Sequence, residues 1–563
     1  MELLDITLSD ALAYNAKHYR DNTAYIFEDT VYTWGATEAI TDRMASMMLQ
    51  SGIRKGSRLG LWSVNTVALA FTLYAAMKVG AVPVIFNYSY KELELGSVLA
   101  YSDTQFMFYG SSTGSLSYPD ILARVKEKSP SLQACWDMEA LLREEETRFL
   151  EGTAMEDKAR EELNRAKAAV KSGDTACMLF TSGTTKRPKG VLLSHHGVLN
   201  NAREISALMH WDREQDRLLS AMPIFHCSGM TCGLMLGVVM GMTVVLMSTF
   251  KAEQAMELIQ RYRCTAFNVV PSMILQIIQH PRFGQYDLSS WRSGTASGSG
   301  ITAERYEAIM EKLNVPYLQM AYGQTETSPL ITFSKYEDDA HTKATTIGVP
   351  IPNMEVRVWN ENEGREAEVN EVGELQARGF CVMQGYYKLE EENRKKFWGD
   401  GWMRTGDLGF RDEAGYFHFT SRMSDMIIRG GENIAPAEIE CVIRNASSDI
   451  RETKVIGLEV NTAIQEEIVA FVQAAPGVQL DGKMISGYVK QHLASFKAPK
   501  YVWQLEEFPV TGSGKIDQKA LKLIAMEKFA LEVEGGMASP DSPAHIPYAV
   551  GKPESDTKRG KYL

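Results

Sequence analysis

The sequence lacks the features that mark disulfide-rich, nucleic-acid-binding and membrane-spanning proteins. Its seven cysteines are scattered, odd in number and without a CxxC pair, which is typical of reduced thiols and predicts a cytoplasmic protein without structural zinc. The net charge is −12 and no long Lys/Arg run offsets it, which argues against nucleic-acid binding. Glycines interrupt the most apolar stretch, 230–247, so we expect a buried helix, turn and strand there rather than stable membrane insertion. The early charges of MELLDITLSD argue against a signal peptide.

The 563 residues are too many for one ordinary core and predict at least two domains. Helical and strand patterns alternate in the first part of the chain, as in strand 58–62, helix 66–79 and strand 82–85, which predicts parallel sheets covered by helices. The alternation recurs in strand 243–246, helix 252–262, strand 266–270 and helix 272–280. Short strands between Gly and Pro turns follow residue 348 and predict a small barrel-like subdomain. We therefore expect an α/β fold with a large domain at 1–424, a small α+β domain at 425–530 and a disordered tail at 531–563.

The segment TSGTTKRPKG, residues 181–190, is the strongest chemical signal. It follows the apolar run 176–180, which reads as a buried strand. Small hydroxyl residues and Gly183 allow backbone N–H groups to close around phosphate oxygens, and Lys186, Arg187 and Lys189 add positive charge. It is not a Walker loop, because no GK[ST] ends it. The segment predicts a phosphate-binding loop rather than an ordinary surface turn.

Six further motifs follow in order: AMPIFHCSG at 221–229, SGTASGSG at 293–300, AYGQTET at 321–327, WMRTGDLG at 402–409, SRMSDMIIRGGENIAPAEIE at 421–440 and TGSGKID at 511–517. With TSGTT–PKG they resemble the motifs of the adenylate-forming superfamily of acyl-CoA synthetases, luciferases and peptide-synthetase adenylation domains. The resemblance covers roughly residues 10–525. It implies an acyl-CoA synthetase, in which a carboxylic acid and ATP form acyl-AMP and pyrophosphate before CoA attacks the adenylate.

The resemblance also implies the nucleotide site. Tyr322 offers a flat face for adenine, Asp407 can accept both ribose hydroxyls, and Arg422 reaches ribose and phosphate. Glu326 and the hydroxyl of Thr184 suit Mg²⁺, a hard cation. The implied ATP/AMP-binding residues are Thr181, Ser182, Gly183, Thr184, Thr185, Lys189, Ser297, Tyr322, Gly323, Gln324, Thr325, Asp407 and Arg422.

The expected catalytic residues are Lys515, Glu326 and His226. Lys515 lies in a Gly-rich loop, where its cation can bridge the substrate carboxylate and the α-phosphate. His226 is interpreted as a wall between the acyl pocket and the thiol path, and the alternative is a packed histidine at a helix start. His195 and His196 are expected at a helix-entry surface. Candidates for the acid pocket are His226, Met230, Thr231, Gly298, Ala321 and Gly323.

The second half-reaction is implied to use the small domain, which rotates between the two steps. Gly430, Gly431 and Lys497 are the expected CoA-binding residues, and a side chain at Gly431 would block the pantetheine tunnel. Ser424 is the expected hinge.

Four positions depart from the superfamily pattern. Lys186 stands where many members have Gly, Ser421 replaces a common Gly or Asp, Ser424 replaces Asp or Lys, and Gln518 replaces a frequent Arg. Lys186-Arg187 and MIIRGGEN are similar to the crotonobetaine/carnitine-CoA ligase branch. A trimethylammonium substrate would need an aromatic cage, which the sequence does not reveal.

Three alternatives share these motifs. An amino-acid adenylation enzyme should place an Asp near His226 for the α-amino group, and PIFHCSG has none. A luciferase-like oxygenase differs only in its products with oxygen. A silent nucleotide sensor is disfavoured because Glu326, Asp407, Arg422 and Lys515 are all present. The sequence leaves the identity of the acid open.

Overall fold

The computed structural model describes residues 2–112, 117–129, 131–181, 188–297, 303–429, 432–461, 465–511 and 515–534. The chain divides into two compact units. The large unit comprises Met1–Ser424 and the short segment Val510–Ile516. The small unit contains Asp425–Pro509 and the described residues from Asp517 onward.

The described strands are, in chain order, β1 (Thr23–Phe27), β2 (Thr30–Thr33), β3 (Arg58–Trp62), β4 (Val82–Phe86), β5 (Phe106–Tyr109), β6 (Ala134–Asp137), β7 (Thr175–Thr181), β8 (Lys189–Ser194), β9 (Arg217–Ser220), β10 (Thr243–Leu246), β11 (Ala266–Phe267), β12 (Ser293–Ser297), β13 (Tyr317–Gly323), β14 (Leu330–Phe333), β15 (Val349–Pro350), β16 (Met354–Asn360), β17 (Arg365–Glu366), β18 (Gly373–Gly379), β19 (Gly385–Tyr386), β20 (Phe397–Trp398), β21 (Trp402–Arg411), β22 (Phe417–Arg422), β23 (Ile427–Arg429), β24 (Glu432–Ile434), β25 (Ile450–Asn461), β26 (Gln465–Ala474) and β27 (Tyr501–Leu505).

The described helices are α1 (Leu8–His18), α2 (Trp34–Gln50), α3 (Val67–Lys78), α4 (Glu92–Ser102), α5 (Tyr118–Glu127), α6 (Met138–Leu150), α7 (Asp157–Ala169), α8 (His195–Leu208), α9 (Cys227–Gly229), α10 (Leu236–Met240), α11 (Ala252–Tyr262), α12 (Pro271–Ile278), α13 (Ala303–Leu313), α14 (Ala340–Thr345), α15 (Glu390–Lys396), α16 (Pro436–Arg444), α17 (Gly482–His492) and α18 (Gln518–Glu534). A π-helical turn, Met230–Met235, joins α9 to α10. Among the described residues, no helix has both the length and the apolar character needed to cross a membrane.

Three sheets organise the described part of the large unit. One has the strand order β19-β8-β7-β4-β3-β5-β6, and a second has the order β15-β14-β13-β12-β11-β9-β10-β1-β2. Both have a parallel centre, because helices connect their central strands. The third sheet is antiparallel, with the order β17-β16-β18-β21-β20 and β22 paired to β21. It forms the subdomain that the short strands after residue 348 predict.

Helix α3 shows why the first two sheets share a core. It is apolar all round and every one of its residues is buried, which is typical of a helix covered on all sides. Its Phe71 and Tyr74 rings contact Tyr25 of β1, while the helix also packs on β3 and β4. Lys78 ends the helix fully buried, and its ammonium pairs with Glu38 at 2.7 Å and Asp42 at 2.6 Å. These two carboxylates compensate the cost of burying the charge.

The small unit is α+β. Its described strands have the order β24-β23-β26-β25, with β27 parallel to β26, and α16 and α17 pack against each other. The large and small parts of mixed α/β structure confirm the predicted fold class.

Three expectations need correction. The strand expected at 266–270 ends at Phe267 and resumes only as a single bridge at Val269. His195 is 1% exposed rather than at a surface, because the N-terminal segment covers it and the Leu8 N–H donates to its Nδ1. Helix α18 continues to Glu534, inside the expected disordered tail, since helix-forming residues continue past 530. Residues 535–563 of that tail lie outside the described residues.

Candidate active site

The phosphate-loop motif begins at the last residue of a buried strand. Strand β7 ends at Thr181, which pairs with Lys189 at the start of antiparallel β8. The intervening Ser182, Gly183, Thr184 and Thr185 lie outside the described residues, as do Lys186 and Arg187. The Lys189 ammonium lies 2.6 Å from Glu392 of α15 and 4.9 Å from the centre of the Tyr386 ring. Lys189 is therefore a cation held at the base of the loop by a carboxylate.

The AYGQTET motif begins at the carboxyl end of β13, next to the carboxyl end of β12. Ser297, the last residue of β12, pairs with Ala321 in parallel register. A Cβ on Gly323 would come within 1.9 Å of the Pro329 carbonyl oxygen, so this position requires glycine. The chain then makes a 3₁₀ turn, Thr325–Thr327, that carries Glu326. Ligands of parallel α/β sheets bind outside such strand ends.

Glu326 is a buried carboxylate, 7% exposed. The Tyr386 hydroxyl donates to its Oε1 at 2.7 Å. Burial and the neighbouring Glu326 raise the pKa of Tyr386, so its hydroxyl keeps the proton that it donates. Among the described residues, no hydrogen bond to its Oε2 is seen. No group of three or more His, Cys, Asp or Glu among the described residues could hold a metal by itself. A single carboxylate that shares the ion with phosphates is how Mg²⁺ is commonly bound, so Glu326 fits Mg²⁺.

Asp407 is the second buried carboxylate, at 6% exposed. The Tyr322 hydroxyl donates to its Oδ2 at 2.7 Å, and the Arg422 Nε lies 3.5 Å from its Oδ1. Desolvation raises the pKa of Asp407 above its ordinary value, and Arg422 and the Tyr322 hydroxyl offset part of that increase. Asp407 and Arg422 face each other in the β21–β22 pairing, so register alone places them together. The structure thus joins three of the expected nucleotide-binding residues.

His226 and Lys515 lie in the same unit, since Val510–Ile516 groups with the large unit. Desolvation, assisted by the Lys515 cation, lowers the pKa of His226 to about 4, so this imidazole is neutral at pH 7. Protein atoms around the Lys515 ammonium desolvate it and lower its pKa; Arg422 lowers it too, and Cys227 and Asp407 raise it. His226 also precedes helix α9, as its alternative interpretation expects. Cys227 follows, with its Sγ 3.6 Å from the hydroxyl of Thr325.

Comparison with known proteins identifies this arrangement. The AMP-binding enzyme family matches residues 12–387, and its C-terminal domain matches residues 438–515. The chain belongs to the AMP-binding enzyme family. YngI of Bacillus subtilis (strain 168), named as an acyl-CoA synthetase, is 32% identical over 550 residues, covering 94% of this chain and 99% of YngI. The medium-chain acyl-CoA ligase ACSF2 (mitochondrial) of Rattus norvegicus is 32% identical over 548 residues, covering 92% of this chain and 88% of its own length.

Solved structures agree with this assignment. O-succinylbenzoate CoA synthetase from Bacillus subtilis, solved with its acyl-adenylate intermediate, has a TM-score of 0.77 and 26% identity, over 92% of this chain and 99% of that one. The anthranilate CoA ligase AuaEII shares the fold, with a TM-score of 0.80 at 21% identity, over 94% and 99%. The predicted superfamily and activity are confirmed: this AMP-binding enzyme is an acyl-CoA synthetase, which activates a carboxylic acid as acyl-AMP and transfers it to CoA.

The small unit of this AMP-binding enzyme carries the expected CoA-binding residues. The Lys497 ammonium is 2.6 Å from the exposed Glu438. Gly430 and Gly431 lie outside the described residues. Ser424 is exposed and lies in the 3₁₀ turn Met423–Asp425, at the division between the units. Gln518, one of the departures from the pattern, donates to Asp425 at 3.0 Å.

Sequence reasoning missed three contacts of this AMP-binding enzyme: Tyr386 on Glu326, Glu392 on Lys189, and Lys396 on Gln324 at 3.1 Å. All three residues come from β19 and α15, between recognised motifs. The signal that could have found them is the run GYYKLEEENRKKF, where aromatic and charged residues crowd just before WMRTGDLG.

Proposed function

We propose that this acyl-CoA synthetase acts on a medium-chain carboxylic acid with Mg²⁺-ATP, through the residues described above. The observation that carries the site assignment is the pair of buried carboxylates, Glu326 and Asp407, each held by a tyrosine hydroxyl on one side. Buried carboxylates are retained where a cation or hydroxyl ligand must be positioned. The Asp407 carboxylate can accept hydrogen bonds from ribose hydroxyls, and the Glu326 carboxylate can give an oxygen to a metal.

The acid is proposed from the residues beyond His226. The stretch 227–247 contains no charged residue, and Met230 and Thr231 are fully buried. We infer that this segment borders the acid, where its side chains would suit an apolar acyl chain and offer no partner for an ammonium or a second carboxylate. Its relative ACSF2 is named as a medium-chain acyl-CoA ligase, which supports the same chain length here.

In the first half-reaction, a carboxylate oxygen of the acid attacks the α-phosphorus of ATP, and pyrophosphate leaves. We infer that the Lys515 ammonium screens the repulsion between the substrate carboxylate and the α-phosphate. Arg422 and Lys189 would stabilise the negative charge of the phosphates. Tyr322 and Asp407 hold the nucleoside. A Mg²⁺ ion held by Glu326, with the Thr184 hydroxyl as the second expected ligand, would neutralise phosphate charge when bound. Thr181, Ser182, Gly183, Thr185, Ser297, Gly323, Gln324 and Thr325 complete the proposed nucleotide site.

In the second half-reaction, the thiol of CoA attacks the carbonyl carbon of the adenylate, and AMP leaves. We infer that Gly430, Gly431 and Lys497 of the small unit guide CoA, and that His226 walls the acyl pocket as a neutral imidazole. Ser424 is the proposed pivot, because hinges are commonly a few residues at the end of an element. The proposed domains remain 1–424 and a mobile 425–530, and helix α18 extends beyond that bound to Glu534.

The test is AMP release from ATP and CoA over straight-chain acids from acetate to palmitate, with carnitine and amino acids included. We expect the highest kcat/KM near octanoate and no AMP release without an acid. A maximum at acetate, at an amino acid or at carnitine would overturn the proposed substrate. Light emission or oxygen uptake with an acyl-adenylate would favour the oxygenase alternative instead.

A further inference from the structure

Lys396 brings a positive charge to the point where two nucleotide-binding motifs meet. It is the last residue of α15 and is only partly exposed. Its Nζ donates to Gln324 Oε1 at 3.1 Å and to the Thr405 carbonyl oxygen at 3.2 Å. The Gln324 amide also donates to the Thr405 carbonyl oxygen, at 3.2 Å. Three groups from separate parts of the chain therefore close a triangle around one ammonium.

Two corners of this triangle, Gln324 and Thr405, are next to residues of the proposed site. Gln324 lies between Tyr322 and Glu326 in the AYGQTET segment. The Thr405 hydroxyl accepts from the Asp407 backbone N–H at 3.0 Å. The ammonium thus adds a link between the segment that carries Tyr322 and Glu326 and the strand that carries Asp407, beside the direct bonds Gln324–Thr405 and Tyr322–Asp407.

Charge adds to this tie. Desolvation lowers the pKa of Lys396 below its ordinary value, and the neighbouring carboxylates of Glu326, Asp407 and Glu374 offset part of that decrease, since they favour the charged form. Hydrogen bonds from an ammonium are about twice as strong as those between neutral groups. The neighbouring Lys395 differs in each respect: its side chain is 66% exposed and pairs with Glu391 at 2.8 Å, one helical turn away.

We propose that Lys396 is a positioning residue for ATP, which holds the Tyr322–Glu326 segment against the Thr405–Asp407 strand. The proposal rests on the site assigned under the proposed function. It acts on ATP binding, since Gln324 and Thr405 adjoin Tyr322, Glu326 and Asp407, the residues proposed to hold the nucleotide and its metal.

The experiment compares Lys396→Met, Lys396→Gln and the control Lys395→Met. Each protein is assayed for KM of ATP, acid and CoA, for kcat and for equilibrium binding of ATP by calorimetry. Lys396→Met should raise the KM and Kd for ATP by about tenfold or more, the cost of losing hydrogen bonds from a charged group. KM for the acid and for CoA should stay within about twofold. Lys396→Gln keeps a donor without the charge and should recover part of the ATP affinity.

Several outcomes would overturn the proposal. These are an unchanged ATP affinity in Lys396→Met, an equal rise in all three KM values, a Lys396→Gln no better than Lys396→Met, or an equal defect in Lys395→Met. Thermal unfolding identifies a variant that has not folded, in which case Lys396→Gln carries the comparison. A wild-type protein that binds ATP but releases no AMP with any acid would contradict the proposed function, while the ATP-binding arm would still test Lys396.

Discussion

The large and the small unit differ in how they hold the charged residues assigned to them. Glu326 and Asp407 of the large unit are buried, and each accepts a hydrogen bond from a tyrosine. In the small unit, the Lys497–Glu438 pair lies at the surface, with the Glu438 side chain 41% exposed. Buried groups keep one geometry because an unpaired alternative is costly, whereas an exposed pair exchanges readily with water. The fold therefore holds the residues proposed for acid activation more firmly than the contacts proposed for CoA.

The largest effect should come from Lys515. Lys515→Ala should reduce acyl-AMP formation by roughly 10²–10³, the scale for losing one preorganised charge contact. Thioester formation from supplied acyl-AMP should survive, because in that step the thiol attacks the adenylate carbonyl carbon and no carboxylate approaches the α-phosphate. Pyrophosphate release and acyl-CoA yield are measured separately. Equal losses in both half-reactions of a folded variant would contradict a role of Lys515 in the first half-reaction alone.

Glu326 tests whether the buried carboxylate serves the metal. Glu326→Gln replaces an anionic oxygen with a weaker neutral ligand and should raise the Mg²⁺ concentration needed for half-maximal rate by roughly tenfold or more. Tyr386→Phe removes the hydroxyl that orients Glu326 and should raise it by less. The readout is the Mg²⁺ titration of pyrophosphate release at saturating ATP. An unchanged titration in Glu326→Gln would remove Glu326 from the metal site.

His195 extends the comparison from activity to stability. Burial lowers its pKa from 6.5 to about 4, and no described residue accepts a hydrogen bond from its buried Nε2. In the unfolded chain His195 thus binds a proton below pH 6.5, whereas in the folded chain it stays neutral until about pH 4. Stability contributed by neutral His195 is complete above pH 6.5 and is lost as pH falls towards 4, by about 2 kcal/mol at pH 5.

A His195→Gln variant should unfold with a weaker pH dependence between pH 7.5 and pH 5, measured by thermal unfolding at both values. His196→Gln is the matched control on the next residue, which is only partly buried. The same loss of stability on acidification in wild type and His195→Gln would show that His195 does not couple pH to folding.

The smallest effect should come from Lys497. Lys497→Ala breaks an exposed ion pair, so its stability should change by less than about 1 kcal/mol. KM for CoA should rise a few-fold, while pyrophosphate release in the absence of CoA should match the wild type. Glu438→Gln, which leaves Lys497 in place, is the control. A Lys497→Ala variant with normal KM for CoA would take Lys497 out of the proposed CoA path.

The strands and helices of this molecule could largely be predicted, because their bounds depend on residues that are neighbours in the sequence. Strands 58–62 and 243–246 and helix 252–262 have the predicted bounds, since each has a clear period and clear end signals. Asp407 and Arg422 were named singly, and only strand register shows that they face each other. Tyr386, Glu392 and Lys396 were missed because their importance arises from contacts with residues far away in the sequence. His195 was misplaced for the same reason, as the N-terminal segment that buries it is distant in the chain.

The central claim is that this AMP-binding enzyme works in two separable steps. The most direct measurement mixes wild-type protein with Mg²⁺, ATP and octanoate, first without and then with CoA. The account predicts pyrophosphate release and enzyme-bound octanoyl-AMP before CoA is added, and AMP with octanoyl-CoA in equal amounts afterwards. Formation of ADP and phosphate, or no pyrophosphate until CoA is present, would contradict it.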